Sequence, residues 1–378
     1  MQNKEMFSGL RVLELASVLA GPSVGQFFAE LGAEVIKVEN PATGGDVTRS
    51  WKGAGEQTDD RSAYFCACNW GKQSVTLDLT QPGDRSRLHR LVGKMDVVIA
   101  SYKPGDAEKL GVAYDQLRAI NPKLIYGQIT GYGSQDDRVG YDAVIQAEAG
   151  FMDLNGEPDG PPTKMPVALI DLLAAHQLKE ALLLALLHRE RTGEGAFAEV
   201  SLIQAAVASL ANQATNWLVA GKLPTRQGSA HPNIAPYGDL FVTGDGKRIL
   251  LAVGSDRQFG ELLNVLHVAA DERLPEFATN AQRVQHRARL NPILQKYMAG
   301  RAADELLARL QARKIPAGLV QNVREALAAD EARKTLLGER GLQAVRQLVA
   351  QLSFHESSKP LSPPPHLGEH NQVVGDLV

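Results

Sequence analysis

A single carboxylate, Asp171, is the residue of this sequence best placed to do chemistry. It follows an apolar stretch, PVALI, and opens a helical pattern that runs to Arg191. One interpretation is structural, because an aspartate at a helix start accepts hydrogen bonds from first-turn amides and complements the helix dipole. The other is catalytic, since free amides at a helix start also stabilise an oxyanion that forms beside a nucleophilic carboxylate. Position alone leaves both interpretations open.

Signatures of several other enzyme classes are missing from the sequence. No GxGxxG follows the first strand pattern, and there is no GxxxxGK[ST], HExxH or spaced pair of CxxC motifs. The two cysteines, Cys66 and Cys68, have no second pair of metal ligands nearby, and we interpret them as free thiols. We therefore expect no metal site and no permanently bound cofactor.

Composition is that of a soluble globular enzyme. The chain has 378 residues, 44% of them hydrophobic and 22% charged, with a net charge of −3. Nothing in this balance favours nucleic acid or an acidic membrane surface as a partner. The longest uninterrupted apolar run, Ala181 to Leu187, is far shorter than the ~20 residues that span a bilayer. Arg11 and Glu14 interrupt the apolar N-terminal stretch, so it is not a signal peptide, and we expect a cytoplasmic protein.

The elements that must position Asp171 alternate between strand and helix over the first 130 residues. The predicted strands are Leu10–Leu15, Glu34–Glu39, Ser74–Leu79, Asp96–Ala100 and Lys123–Ile129. Strands separated by helices predict a Rossmann-like, doubly wound α/β domain with a parallel sheet. Ligands of such sheets bind beyond the carboxyl ends of the strands. Two further helices are predicted, Asp171–Arg191 and Leu202–Val219.

The character of the chain changes after Gly221, where three prolines fall within a dozen residues. A hairpin pattern follows from Gly238 to Gly254, and helical segments lead to a short apolar strand. We predict a smaller α+β domain over residues 225–325, and a large α/β domain built from residues 1–220 and 326–378. The end of the chain, Ser358 to Leu367, carries four prolines and predicts an extended tail.

The order of short motifs along the chain resembles the class III (CaiB/BaiF) CoA-transferases, the family of formyl-CoA, carnitine and bile-acid CoA-transferases. The resemblance covers nearly the whole chain, and no one motif is a strict signature. The motifs are GLRVLELASVLAGP, FFAELGAEVIKVE, GGDVTRSW, NWGKQSVTLDL, SYKPGDAEKLG, TGYG, GYDAVIQAEAGFM, LLHRERTGEGAFAEVSL, HPNIAPYGDLFVTGDG and HLGEH.

This resemblance implies that Asp171 is the catalytic aspartate. Its carboxylate would attack the thioester of an acyl-CoA to give a mixed anhydride, and the released thiolate would convert that anhydride to an aspartyl-CoA thioester. The acceptor acid would then reverse the two steps. Coenzyme A is thus a substrate, carried between an acyl-CoA and a small carboxylic acid. The family also forms interlocked homodimers, and the linker near residue 225 and the extended tail are consistent with one.

The resemblance further implies a set of contacts with coenzyme A, in segments that follow the first, third and fourth strands and in the stretch before Asp142. The implied residues are Val18, Leu19, Ala20, Leu77, Ser101, Tyr102, Lys103, Lys109, Arg138, Tyr141 and Asp142. Two positions depart from the formyl-CoA transferases. Leu19 replaces a glutamine near the reacting acyl group, and Asn40 replaces an arginine that meets a phosphate.

Two alternatives to CoA transfer remain. The α-methylacyl-CoA racemases share the fold and exchange an α-proton with an aspartate and the histidine of a GHD tripeptide. Here the tripeptide is Gly140-Tyr141-Asp142, and a tyrosine, with an ordinary pKa near ~10, is a poor acid and base at neutral pH. The second alternative is a protein that binds coenzyme A without catalysis.

The acceptor acid is indicated only by a loop. Formyl-CoA transferases carry a glycine-rich loop over the site, whereas Gly228–Gly238 here has no glycine run. This sequence is more similar to members that use succinyl-CoA and small dicarboxylic acids. Arg49, Arg226 and His231 are candidates for binding a second carboxylate, and each is equally well explained by local hydrogen bonds.

Overall fold

The computed structural model describes residues 5–354 and 360–373. Its strands are β1 (Arg11–Leu15), β2 (Glu34–Glu39), β3 (Lys72–Thr76), β4 (Val97–Ala100), β5 (Ile125–Thr130), β6 (Ala196–Ser201), β7 (Tyr237–Val242), β8 (Arg248–Ala252), β9 (Ala317–Leu319), β10 (Leu336–Glu339) and β11 (Leu342–Val345). Its α-helices are α1 (Ala20–Glu30), α2 (Ala63–Cys66), α3 (Pro82–Val92), α4 (Asp106–Leu110), α5 (Tyr114–Ile120), α6 (Asp142–Glu148), α7 (Phe151–Leu154), α8 (Leu169–Thr192), α9 (Leu202–Ala208), α10 (Asn212–Leu218), α11 (Asp256–Leu266), α12 (Asn280–Gln285), α13 (Arg287–Met298), α14 (Ala303–Ala312), α15 (Val323–Ala328) and α16 (Asp330–Arg333).

A six-stranded parallel sheet with strand order β3-β2-β1-β4-β5-β6 is the centre of the fold. Its inner strands are apolar and almost fully buried, as expected where helices cover both faces of a parallel sheet. This confirms the predicted doubly wound α/β architecture. The strand order reverses between β1 and β4, which is where such sheets open a crevice for ligands.

Three details differ from the sequence prediction. The helix that carries Asp171 begins earlier, at Leu169. The single helix predicted over Leu202–Val219 is two helices, α9 and α10, because Ala211 takes a left-handed backbone conformation between them. An antiparallel hairpin, β10–β11, was not predicted, and its turn is Arg340-Gly341, with positive φ at both residues.

The chain divides into two compact units. The first contains Met1–Ala149, Met165–Ala211 and Glu331–Val378, and the second contains Gly150–Lys164 and Asn212–Asp330. Compared with the predicted domains, residues 150–164, 212–220 and 326–330 belong to the second unit rather than to the first. The predicted proline-rich tail begins at Ser358, outside the described residues. From residue 360 onward it lies along β3, where His370 N donates to Ser74 O and Gly71 N donates to Ser362 O.

The second unit is an α+β fold around a three-stranded antiparallel sheet, β7-β8-β9. Its core is formed by the sheet and the helices α11, α13 and α14, with Phe241, Leu262 and Leu294 among the buried side chains. Across the described ranges, no helix is both long and apolar enough to pass through a bilayer.

Candidate active site

A cavity of about 300 Å³ opens in the first unit at the carboxyl ends of β1, β4 and β5. Nine of the residues predicted from the family resemblance line it. They are Val18, Ala20, Ser101, Tyr102, Lys103, Arg138, Tyr141, Asp142 and Asp171. The cavity therefore lies at the β1/β4 switch point, the position expected from the strand order.

Three predicted residues are not in the cavity wall. Leu77 follows β3 and packs into the hydrophobic core. Leu19 precedes α1 and is buried. Lys109 is an exposed residue of α4 that pairs with Asp106 at 3.2 Å.

Asp171 is the third residue of α8 rather than its cap. The residue at the N-cap is Ala168, and no side-chain capping bond is made there. The interpretation of Asp171 as a helix cap is therefore wrong, because the helix starts two residues before it. Its side chain borders the cavity while the residue is only 8% exposed.

The Asp171 carboxylate lacks stabilising partners. Among the described residues, no donor is hydrogen-bonded to it, and the nearest charge that acts on it is another carboxylate, Asp142. Burial first, and then repulsion from Asp142, raise the pKa of Asp171 to about 7. Near neutral pH this group exchanges between a neutral acid and a reactive, poorly solvated anion, as a nucleophile requires.

Asp142 takes over the capping role that Ala168 cannot play. From the start of α6, its Oδ1 accepts a hydrogen bond of 2.7 Å from Ile170 N in the first turn of α8. Its Oδ2 accepts another, also of 2.7 Å, from Gln146 Nε2. Gln146 is fully buried, and its Oε1 accepts from Met165 N at 2.8 Å. Two side chains of α6 thus fix the segment that leads into Asp171.

Two glycines let the chain reach Asp142. Gly131 and Gly140 both line the cavity, and their backbones cross so closely that a Cβ on Gly140 would lie 2.5 Å from Gly131 Cα. A side chain at either position would push the two backbone segments apart. Tyr141 and Asp142 follow directly, so this close crossing determines where both enter the site.

Another part of the cavity wall, at Val18, is a constrained turn. Val18 has φ of 73°, a left-handed conformation that costs a β-branched residue about 1–2 kcal/mol. Two buried groups hold it. Val18 N donates to Asp46 Oδ1 at 3.3 Å, and Cys68 Sγ donates to Val18 O at 3.5 Å.

Behind that turn lies a cluster of buried charges. Glu14 of β1 is paired with Lys37 of β2 at 2.9 Å and with Lys72 of β3 at 2.8 Å. Lys37 also pairs with Asp46 at 2.9 Å. Burial alone would lower the pKa of Lys37, but Glu14, Asp46 and Glu39 outweigh it and raise that pKa above its ordinary value.

The same cluster extends to Arg49. Glu39 accepts from Arg49 Nε at 2.7 Å and from Ser74 Oγ at 2.6 Å, and also accepts from Asp46 N. Although burial opposes it, the bond from Arg49 and the charge of Lys37 lower the pKa of Glu39. Charged atoms buried here are thus matched by opposite charges.

Aromatic side chains close the cavity beside Asp171. Trp51 lines it, and its ring meets that of Tyr64 edge-on, with centroids 5.2 Å apart. Burial and then the charge of Asp171 raise the pKa of Tyr64 to about 12, so this phenol stays protonated. Neither residue was predicted as part of the site, and local sequence pattern gives no signal for either.

The cavity wall contains two cations with different surroundings. Arg138 is held by Asp136 at 2.9 Å and lies over the ring of Tyr132. Lys103, in contrast, forms no ion pair within the described part of the chain. It follows β4 and is exposed. Lys103 is therefore the cation of this wall that is free to meet an anionic ligand.

The three candidates for a second carboxylate site have structural contacts. Arg49 is buried against Glu39 and also donates to Pro365 O, so its interpretation as a substrate ligand is wrong. In the second unit, Arg226 pairs with Asp153 at 3.0 Å. His231 Nδ1 accepts from Asn233 N, and its ring packs on Tyr237.

Asp59, Asp60 and His366 bring potential metal ligands within 4.8 Å of one another. Each already has a protein partner. Asp59 pairs with Arg61, and Asp60 accepts from Leu367 N at 2.8 Å and from His366. These bonds attach the C-terminal segment to the sheet, which explains the arrangement without an ion.

Comparison with known proteins agrees with this geometry. The sequence profile of CoA-transferase family III matches residues 7–371, and the chain belongs to that family as a CoA-transferase. It is 40% identical to the succinate–glutarate CoA-transferase of Agrobacterium fabrum, over 99% of this chain and 96% of that protein. It is 33% identical to the succinyl-CoA:glutarate CoA-transferase of Mus musculus, over 97% of this chain and 85% of that protein.

A solved structure is similar over the full fold. A CAIB/BAIF family protein from Brucella suis superposes with a TM-score of 0.86 at 40% identity, covering 98% of this chain and 99% of that one. The family predicted from the order of motifs is confirmed.

Proposed function

We propose that this CoA-transferase moves coenzyme A from a dicarboxylic acyl-CoA, such as succinyl-CoA, to a second small dicarboxylic acid, with Asp171 as the nucleophile. The observation that carries the proposal is the Asp171 carboxylate, which borders the cavity buried, without a donor, and beside a second carboxylate. The substrates named for the relatives from Agrobacterium fabrum and Mus musculus support the dicarboxylic class.

Each step of the proposed reaction balances at Asp171. An Asp171 oxygen attacks the thioester carbon, the C–S bond breaks, and the electron pair leaves with the CoA thiolate. The thiolate attacks the Asp171 carbonyl of the mixed anhydride, and the first acid leaves as a carboxylate. The second acid attacks the resulting aspartyl-CoA thioester, and the released thiolate then takes the new acyl group. Asp171 ends as it began, an ionised carboxylate.

The cavity supports binding of the reacting end of an acyl-CoA. Its volume, about 300 Å³, is at the lower end of the range for ligand sites, which suits a thioester and its narrow pantetheine arm with the nucleotide outside. We assign this arm to the walls formed by Val18 and Ala20 and by Ser101, Tyr102 and Lys103. Arg138, Tyr141 and Asp142 form the opposite side.

Trapping the covalent intermediate tests the proposal. Incubation with succinyl-CoA should produce an enzyme–CoA adduct that intact-mass measurement detects, that hydroxylamine cleaves, and that peptide mapping places on Asp171. Asp171→Ala should form no adduct and transfer no CoA, whereas Asp115→Asn, at an exposed aspartate in the first turn of α5, should behave as wild type. Transfer by Asp171→Ala at the wild-type rate would refute the assignment.

The alternatives give different results in the same assays. A racemase would exchange the α-hydrogen of a 2-methylacyl-CoA with D₂O without exchanging acids. Tyr141, which stands where racemases have histidine, makes that outcome unexpected. A non-catalytic protein would bind CoA tightly and do neither.

We also propose that two chains form an interlocked homodimer in the cytosol. Its support is the number of large apolar side chains exposed in each unit of the described chain, including Leu184 and Leu187 on α8 in the first unit and Trp217, Leu218 and Val219 in the second. The buried, unpaired cysteines suit a reducing compartment. Light scattering coupled to size-exclusion chromatography should give twice the chain mass, and Leu184→Glu should weaken the association.

A further inference from the structure

We propose that Asp142 is a positioning residue with a second effect: it holds the first turn of α8 in place, and its negative charge favours the covalent, uncharged form of Asp171 over the free carboxylate. The inference rests on the proposed role of Asp171 as the nucleophile. It concerns the balance between free and acylated enzyme, which that role leaves undetermined.

Geometry ties Asp142 to the nucleophile through the backbone. Its bond to Ile170 N acts on the residue immediately before Asp171, and its bond from Gln146 fixes its own carboxylate. The Asp142 carboxylate accepts both of these hydrogen bonds, one of them from a helix amide. The residue that orients Asp171 therefore also places a second carboxylate charge beside it.

The chemistry removes charge from Asp171 and from no other group of the protein. Free enzyme has two neighbouring carboxylates, Asp142 and Asp171. In the mixed anhydride and the aspartyl-CoA thioester, the Asp171 oxygen or carbonyl is bound covalently, and the negative charge has left with the thiolate and then with the departing acid. Repulsion between the two groups, and the cost of burying Asp171 as an anion, therefore destabilise only the free enzyme.

Other groups around Asp171 do not offset this repulsion. The elements that pack on α8 and the cavity wall contribute the ionisable side chains Glu30, Tyr102, Lys103, Tyr126, Asp136, Arg138, Tyr141, Glu148 and Glu199, and Tyr64 lies within reach of the Asp171 charge. Lys103 is exposed, and it is burial and Asp142 that shift the pKa of Asp171. Arg138 is neutralised by Asp136, and Glu199 accepts from Ser134 N. Glu30 accepts from Gln347 N at the far end of α1. Helix α9 has no ionisable residue.

The raised pKa of Asp171 agrees with this picture, since burial is its largest cause and Asp142 its second. A neighbouring like charge commonly changes a pKa by about one or more, and a change of one corresponds to a tenfold change in an equilibrium constant. We therefore expect the charge of Asp142 to shift the ratio of covalent to free enzyme by about tenfold.

Asp142→Asn tests the negative charge of residue 142 separately from its role in holding the start of α8. The asparagine oxygen still accepts from Ile170 N, so the helix start is kept, while the charge and the bond from Gln146 are lost. At a fixed ratio of succinyl-CoA to succinate, intact-mass measurement should show the ratio of enzyme–CoA adduct to free enzyme reduced about tenfold. The pH midpoint of kcat/KM should also fall by about one. The matched control, Asp115→Asn, should change neither.

Asp142→Ala, which removes the acceptor as well, should show the same fall in adduct together with a loss of kcat. If Asp142→Asn does not fold, Asp142→Ser, which keeps a hydroxyl oxygen, provides the neutral variant. An unchanged adduct ratio and pH midpoint in a folded neutral variant would overturn the inference while leaving the role of Asp171 intact. Failure of wild type to form any adduct would instead remove the proposed function itself.

Discussion

Two sets of buried carboxylates lie in the first unit, and the charges that surround them are of opposite sign. Glu14, Glu39 and Asp46 are each matched by a buried lysine or arginine. Asp171 is buried to a similar degree but lies beside another carboxylate, Asp142, and forms no ion pair with any cation in the described part of the chain. The pKa values of Glu39 and Asp46 are lowered despite burial, whereas that of Asp171 is raised.

This difference distinguishes carboxylates that stabilise the structure from a carboxylate that can react. A matched buried charge keeps one protonation state and one position, so it holds backbone, as Asp46 holds Val18. A buried carboxylate without an opposite charge raises the free energy of the free enzyme, and a reaction that neutralises this carboxylate removes that destabilisation. Asp171 and Asp142 line the cavity, the matched set supports its wall at Val18, and each set can be broken separately.

Breaking the matched set should have the largest effect on stability. Glu14→Gln leaves Lys37 and Lys72 buried without their shared partner, and should destabilise the fold by about 3–5 kcal/mol. Urea unfolding measures it. The control Glu34→Gln, in a half-exposed pair with Arg11, should cost at most about 1 kcal/mol. An equal decrease in the free energy of unfolding of the two variants would contradict the claim that the buried ion pairs matter more than an exposed one.

Breaking the unmatched set should act with the opposite sign. Because the pKa of Asp171 in the folded protein is about 7, above its ordinary value of 3.8, ionising Asp171 destabilises the fold; this cost grows as pH rises from about 4 to about 7 and stays constant above that. Asp171→Asn should therefore stabilise the protein by about 2–4 kcal/mol at pH 8, with the gain shrinking as pH falls and vanishing below about 4. Thermal unfolding at several pH values checks it. A constant gain would show that Asp171 is not the titrating group.

Much of the fold follows from sequence, because its signals are local. Apolar runs such as those of β1 and β4 mark buried parallel strands, and the strand–helix alternation predicts their order of connection. No such local signal marks the break between α9 and α10, because residue 211 is an alanine and not a glycine or a proline. Membership of residues 150–164 in the second unit depends on distant contacts, which a linear pattern does not contain.

For the site, resemblance to a family located Asp171, but not its surroundings. The capping of α8 by Asp142 joins residues 28 positions apart, and no local pattern links them. The charge cluster did leave a signal, because Glu14 and Lys37 each stand between apolar residues of a buried strand and are register partners in the sheet. A charged residue within such a strand requires a partner, and that rule applied to β1 and β2 would have paired the two.

Asp46 connects the matched set to the cavity wall through Val18, and this allows a finer test. Asp46→Asn removes the ion pair with Lys37, which keeps Glu14, and preserves an acceptor for Val18 N. It should cost about 1–2 kcal/mol of stability while leaving KM for acyl-CoA within twofold of wild type. Asp46→Ala loses the acceptor too and should raise KM several-fold. If both variants change KM equally, the Val18 turn does not depend on this bond.

The smallest expected effect applies the same contrast to surface lysines. Lys103 lines the cavity without an ion-pair partner among the described residues, whereas Lys109 is outside it and already paired with Asp106. An unpaired cation is available to an anionic ligand, and a paired, exposed one gains little by exchanging partners. Lys103→Ala should therefore raise KM for succinyl-CoA about three- to tenfold, equivalent to about 0.7–1.4 kcal/mol. Lys109→Ala should leave it within twofold. A larger effect at Lys109 would place part of the CoA nucleotide over α4 instead, outside the cavity that holds Asp171.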